Sequence, residues 1–225
     1  MSEVFQANSV MSQPVAYQKG LADFYGRDFC VNPNVLIPRP ETEAIIDMVL
    51  NLLGEPYLPG VKPSKARLAQ NAKVLEIGTG SGCIAITLKL EAPELDIVAT
   101  DISDKALEVA RANTKKYGVN IRLRKADLMD GVTEQFDLMI ANLPYVDKDW
   151  DWLDKKALSY EPSLALYAED HGLKLIFRLI EQAGERRVPS LILEADPCQH
   201  DDIVNFAAKQ GYSLIEKRGF ALLLA

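Results

Sequence analysis

A chain of 225 residues with 48% hydrophobic and 25% charged side chains has the make-up of an ordinary soluble globular protein, with length for one large α/β domain and little more. Mean hydropathy is −0.04 and no apolar run approaches the ~18 residues of a bilayer span, which excludes a membrane-crossing helix. Three scattered cysteines (Cys30, Cys83, Cys198) exclude a disulfide framework and a cysteine metal site, and a net charge of −7 with a pI of about 5.0 argues against a general grip on nucleic-acid phosphates.

The first residues lack a basic stretch followed by an apolar core, so no secretory leader and a cytoplasmic location are expected. Residues 1–13 read as a flexible tail and 14–225 as one domain. The first helix is expected over Glu41–Leu53, where Ile45, Ile46, Val49, Leu52 and Leu53 share a face. Gly54–Asn71 reads as a long Pro/Gly/Lys-rich connector. Val74–Ile77 is a short apolar strand that runs into Gly78-Thr79-Gly80-Ser81-Gly82 and a helix. A second strand, Ile97–Thr100, ends at Asp101. Ser103 is placed to cap a helix over Asp104–Tyr117, its hydroxyl accepting from a free backbone N–H. Ile121–Leu123, Phe136–Ala141 and Leu191–Leu193 read as further buried strands. Helices over Leu173–Ala183 and Asp201–Gln210 separate the later ones. Ser213–Glu216 and Phe220–Leu224 close the chain as a hairpin. Strands alternating with helices imply a mostly parallel sheet covered on both faces, with antiparallel pairing at the end.

Two motifs carry chemistry. The glycine turn 78–82 follows a core strand, at the end of an open α/β sheet where ligands bind, and its glycines let the backbone approach a ligand closely. Its G-x-G-x-G spacing differs from the G-x-G-x-x-G of a dinucleotide site. Asp101, closing the next strand, is placed to accept from ribose hydroxyls. Asp127 and Leu128, after the third strand, reach the same rim. The second motif, Asn142-Leu143-Pro144-Tyr145, follows the fourth strand. An amide or exocyclic amine nitrogen is a poor nucleophile because its lone pair is delocalised. A catalyst must hold it in line with a methyl–sulfonium bond and aim acceptors at its N–H groups. Asn142 offers a side-chain carbonyl, Leu143 a backbone carbonyl, and Tyr145 a flat face for a planar acceptor.

Together these motifs resemble the class I S-adenosylmethionine-dependent methyltransferases, and from about Pro14 onward the chain is similar to the release-factor glutamine N5-methyltransferases, the HemK family. The similarity also rests on Pro14-Val15-Ala16-Tyr17 with Gly20, on Phe24-Tyr25-Gly26 with Phe29 and Val31, and above all on Val35-Leu36-Ile37-Pro38-Arg39-Pro40-Glu41-Thr42-Glu43. Glu161-Pro162 with Ala165-Leu166, and Glu194 with Gln199, complete it. The resemblance implies a Rossmann-like α/β fold with a mostly parallel seven-stranded sheet and a C-terminal antiparallel hairpin. It implies S-adenosyl-L-methionine as cofactor, held by Gly78, Thr79, Gly80, Ser81 and Gly82 at its methionine end, by Asp101 at its ribose and by Asp127 and Leu128 at its adenine. Asn142 would face both cofactor and substrate. With Leu143, Pro144 and Tyr145 it would hold a glutamine side-chain amide, Asn142, Pro144 and Tyr145 being catalytic. In this family the glutamine lies in the Gly-Gly-Gln motif of a peptide chain release factor, the expected protein partner of a monomeric enzyme. Arg39 and Glu41 would help close the pocket.

Leu143 stands where the family usually has proline, and no counterpart of the helical N-terminal docking domain of typical members is expected in this sequence, so either weaker affinity for the protein substrate or recognition by the catalytic domain alone is expected. Asn-Leu-Pro-Tyr also resembles the motif of ribosomal RNA adenine dimethyltransferases. That leaves N6-adenine methylation of RNA or DNA as one alternative and a catalytically lapsed cofactor-binding protein as another. His171 and His200 read as structural or exposed, Cys83 as a small buried residue rather than a nucleophile, and the run Asp147–Trp152 as a solvated loop or a lid. Because the backbone carbonyl of residue 143 survives and Pro144 still steers it from helical angles, Leu143→Pro is expected to change methyl-transfer turnover by less than about tenfold, about 1.4 kcal/mol in barrier height.

Overall fold

The computed structural model describes residues 13–54 and 67–225. Apart from Gln13, the expected tail lies outside the described residues, as does most of the Gly54–Asn71 connector.

The described chain opens with a short helix α1 (Val15–Lys19), stopped by Gly20 in the left-handed conformation, and a hairpin of β1 (Leu21–Phe24) and β2 (Arg27–Cys30). Tyr25 and Gly26 make its two-residue turn with φ of 54° and 68°, the pair of positive angles that matches the twist of flanking strands. Phe24 and Phe29 pack edge to face beneath it, both fully buried. The expected first helix divides into a 3-10 turn at Pro40–Thr42 and α2 (Glu43–Leu52).

A seven-stranded sheet then forms from β3 (Lys73–Ile77), β4 (Asp96–Asp101), β5 (Arg122–Lys125), β6 (Leu138–Ala141), β7 (Leu191–Glu194), β8 (Leu214–Arg218) and β9 (Ala221–Leu224). Its order is β5-β4-β3-β6-β7-β9-β8, parallel up to β7, with β9 antiparallel to both its neighbours. The expected sheet and terminal hairpin are therefore present. One strand departs from its reading: the expected buried strand Ile121–Leu123 is β5, shifted to Arg122–Lys125 and at the sheet's edge, where charged side chains reach solvent. By contrast β6 and β7 are buried at every position, as central strands covered on both faces must be.

Helices α3 (Cys83–Glu91), α4 (Asp104–Tyr117), α7 (Lys174–Glu185) and α8 (His200–Lys209) cover the sheet, and two one-turn helices, α5 (Lys155–Leu158) and α6 (Ser163–Leu166), punctuate the loop after β6. On one face Ile45, Ile46, Ile84 and Ile86 pack on Val74, Ile97 and Ile140. On the other, Ile176, Leu179, Ile180 and Ile203 pack on Leu75, Met139 and Leu191. Ser103 caps α4 as expected, accepting from the Ala106 N–H at 3.2 Å.

Asn113 of α4 joins this frame to the N-terminal hairpin. Fully buried, it donates to the carbonyls of Cys30 and Ser81 at 2.9 and 2.8 Å and accepts from the Cys30 N–H at 2.8 Å. Removing it leaves three partly or fully buried backbone groups without their partner, and Asn113→Ala is expected to lower stability by about 3 kcal/mol in urea unfolding. Glu76 of β3 lies inside the core, accepting from the Thr79 hydroxyl at 2.6 Å, and burial pushes its carboxyl up to about 8. The folded state therefore keeps a proton that the unfolded chain releases near pH 4.5. Its stabilising contribution is complete below that value and fades as pH rises through about 8. Thermal melts of Glu76→Gln should accordingly fall less steeply between pH 5 and 8 than those of the parent chain.

Candidate active site

The ends of parallel strands deliver the sheet side of the site. Ile77 of β3 pairs with Thr100 of β4 on one side and Ala141 of β6 on the other, so the segments that follow all three strands emerge at one level. They enclose a cavity of about 280 Å³, lined on its sheet side by Gly78 to Ser81, Asp101 to Ser103, Ala126 to Leu128 and Asn142 to Pro144. The opposite wall comes from the Pro33–Arg39 segment, Thr42, and Pro162 with Leu164 and Ala165.

The three glycines of the turn all have positive φ, 74°, 55° and 81° at Gly78, Gly80 and Gly82, and serve different ends. A Cβ on Gly78 would press against Leu143 at 3.1 Å, and one on Gly82 against Ile86 at 3.1 Å. Gly80 faces open space, so the backbone there is bare toward the cavity. Gly82 itself is not part of the cavity wall; its part is to bring α3 against α4. Thr79 and Ser81 are buried, and Thr79 spends its hydroxyl on Glu76.

Asp101 accepts from the Gly80 and Ser103 N–H groups, both at 2.9 Å, one on each carboxylate oxygen. Both oxygens keep a free lone pair for a hydroxyl, and burial raises the carboxyl's pKa. The carboxylate of Asp127 turns away to Arg178 of α7, which donates to its two oxygens at 3.0 and 3.1 Å. Leu128 adopts a φ of 51°, costly for a branched side chain, and its buried side chain lines the cavity. Ile102, half exposed, offers apolar surface from the segment after β4. A bare glycine backbone, a carboxylate with spare lone pairs and two aliphatic walls fit a ligand with a polar tail, a ribose and an aromatic base.

Asn142, Leu143 and Pro144 line the cavity, whereas Tyr145 lies behind it. The Asn142 Nδ2 donates to the Thr42 hydroxyl at 3.1 Å, and the Tyr145 hydroxyl donates to Glu194 of β7 at 3.1 Å. Gln199 fixes the same loop from behind, its amide nitrogen donating to the Tyr145 and His171 carbonyls at 2.8 Å each. Thr42 and Glu194 belong to segments that carry the resemblance but are not among the expected site residues. They stand 100 and 52 positions from Asn142 in the chain, and no spacing rule links them. Ile102 had a local signal, as the apolar neighbour of the strand-ending acid.

Of the residues expected at the entrance, Arg39 is there, ion-paired with Glu161, which also accepts from the Ile37 N–H at 3.1 Å. Glu41 is exposed and outside the wall. Trp150 and Trp152 stack on each other at 5.1 Å, away from the cavity, with Trp152 largely exposed. Cys83 is buried with its thiol pushed up to about 12, the setting of an inert cysteine. His171 pairs with Asp147 at the surface and His200 with the Ala195 carbonyl in the interior. Among the described residues no cluster of side chains could hold a metal.

The chain matches the family model of the methyltransferase small domain over residues 63–154. A release factor glutamine methyltransferase of Koribacter versatilis is 39% identical over 180 residues, covering 79% of this chain and 60% of the relative. A second, from Neisseria gonorrhoeae, is 37% identical over 209 residues, covering 91% of this chain and 71% of the relative. This chain thus spans 60% of the length of the first relative and 71% of the second. The crystal structure of a methyltransferase from Pyrococcus furiosus shares the fold, with a TM-score of 0.62 at 20% identity over 97% of this chain and 96% of that one. With its glycine turn and Asn142 loop on adjacent strands of that fold, the chain belongs to the release factor glutamine methyltransferase family.

Proposed function

We propose that this protein transfers a methyl group from S-adenosylmethionine to the side-chain amide nitrogen of a glutamine, in the Gly-Gly-Gln motif of a peptide chain release factor. The observation that carries this reading is one shared cavity wall: the glycine turn after β3 and the Asn142–Pro144 loop after β6 face the same space.

The glycine turn would hold the amino-acid end of the cofactor, Asp101 its ribose, and Ile102 and Leu128 the two sides of its base. When bound, the cofactor supplies an electrophilic methyl group on a sulfonium. The protein's part is to present a weak nucleophile correctly. Asn142 has its amide nitrogen committed to Thr42, which leaves its side-chain carbonyl for an N–H of the acceptor. The Leu143 carbonyl can take the second N–H. Two acceptors on one NH2 group align its nitrogen and stabilise the positive charge that grows there as the new bond forms. Pro144 stiffens the loop, and the apolar side chains of Leu36, Pro38 and Leu164, which line the same cavity, would limit the water that competes for the acceptor. The methylated nitrogen then returns its extra proton to solvent. An overall charge of −7 favours a protein acceptor over a phosphate-rich one.

The test is transfer of labelled methyl to a purified release factor, beside one with Ala for Gln in its Gly-Gly-Gln motif. Label on the first alone is expected. Label on neither, or on RNA with a steep loss in salt, would overturn the reading. Asn142→Ala is expected to lower kcat by about 100-fold or more while cofactor affinity, measured by calorimetry, stays within about threefold.

A further inference from the structure

The proposed reaction, on which this inference rests, needs the Asn142 amide in one of two orientations of nearly identical shape. With its carbonyl toward the cavity it accepts from the acceptor's N–H; flipped, it presents a donor to a donor. Its neighbour Thr42 does not decide between them. A hydroxyl both donates and accepts, so Thr42 could pair with either end of the amide.

The deciding group is one step further in. Glu194, at the end of β7, is 2% exposed. Its Oε1 accepts from the Tyr145 hydroxyl at 3.1 Å, and its Oε2 is buried without a partner. The Thr42 hydroxyl and the Asn142 amide are polar groups beside this carboxyl, and hydrogen bonding from them opposes the rise in pKa that burial causes. A carboxylate can only accept. As a buried acceptor with an unpartnered oxygen it would claim the Thr42 proton, leave Thr42 only lone pairs to offer, and turn the Asn142 NH2 inward and its carbonyl to the cavity. We propose that Glu194 is a positioning residue that sets the polarity of the Glu194–Thr42–Asn142 chain, so that Asn142 always presents its carbonyl to the substrate nitrogen. Tyr145 steadies the carboxylate, which accounts for a motif tyrosine lying behind the cavity.

The charge of Glu194 becomes part of the active state. Burial and the nearby Glu41 of the Pro40–Thr42 turn raise its pKa. Of the other titratable groups facing it, Tyr145 and Cys83 are held protonated by burial. Below the raised pKa the carboxyl gains a proton, can donate to Thr42, and lets the chain reverse. Turnover should fall as pH drops through that value, with substrate affinity much less affected.

Two independent readouts test this on the full chain. The first needs no acceptor: hydrogen exchange of the Asn142 side-chain amide, followed by 15N NMR with the signal identified by its loss in Asn142→Ala. Thr42→Val should speed that exchange more than about tenfold and Thr42→Ser should restore most of the protection. The second is turnover with release factor. Thr42→Val and Glu194→Gln should each lower kcat about 30-fold with KM for either substrate within about threefold. Thr42→Ser should recover at least about a third of the rate, and Glu194→Gln should lose the acid limb of the pH profile. Unchanged amide exchange in Thr42→Val, or a parental kcat and pH profile in Glu194→Gln, would overturn the inference. If the parent chain methylates no release factor, the proposed function fails by itself, and the exchange data still decide the orientation of Asn142.

Discussion

The site depends on the parallel pairing of β3 with both β4 and β6. In that arrangement Ile77 lies level with Thr100 and Ala141, and the chain leaves the three strands at the same height. The connections from β3 toward β4 and from β6 toward β7 run to opposite sides, because the strand order reverses there, and a crevice opens between them. Backbone hydrogen bonds hold this geometry: the Thr79 N–H donates to the Thr100 carbonyl at 2.9 Å, tying the glycine turn to the end of β4. A one-residue slip of β6 against β3 would turn its side chains to the wrong faces and carry Asn142 away from the turn.

Around this crevice the protein accepts costs that the core elsewhere avoids. Glu76, Asp101 and Glu194 each close or nearly close a parallel strand, and burial raises the pKa of all three. Each is offset by convergent donors: the Thr79 hydroxyl, two backbone N–H groups, and the Tyr145 hydroxyl respectively. The backbone is strained as well. Leu128 has a φ of 51°, and Asp170, His171 and Gly172 take φ of 56°, 53° and 83° in succession. A side chain at Gly172 would overlap the Tyr145 carbonyl, and Gln199 bonds to both segments, so this tight crossing supports the Asn142–Tyr145 loop from behind. Arg39 and Glu161 close the opposite wall and bind two segments that share no secondary structure.

Much of this was legible in the chain. Apolar runs such as Leu138–Ala141 announce strands buried on both faces, and Gly78, Gly80 and Gly82 announce a turn whose angles few other residues adopt. Asp101 and Asn142 are readable because one ends a strand and the other directly follows one, so local sequence alone sets which end of the sheet they occupy. The β1–β2 hairpin escaped because its strands are four residues each and its signal is one Tyr-Gly turn. The edge strand β5 was misplaced because Ile121 and Leu123 suggest burial, while strand order, which no local pattern encodes, put it at the margin.

The sequence by itself determined the fold class, the glycine turn, the acid at the end of β4 and the Asn142 loop, since periodicity, turn chemistry and motif spacing are properties of contiguous residues. Only the tertiary structure decided that Asp127 would spend its carboxylate on Arg178, that Tyr145 would lie behind the cavity, and that Thr42 and Glu194 would meet Asn142. These are partnerships between segments far apart in the chain. Which donor a buried acceptor finds depends on how helices and strands pack, and burial then makes each such choice costly to change.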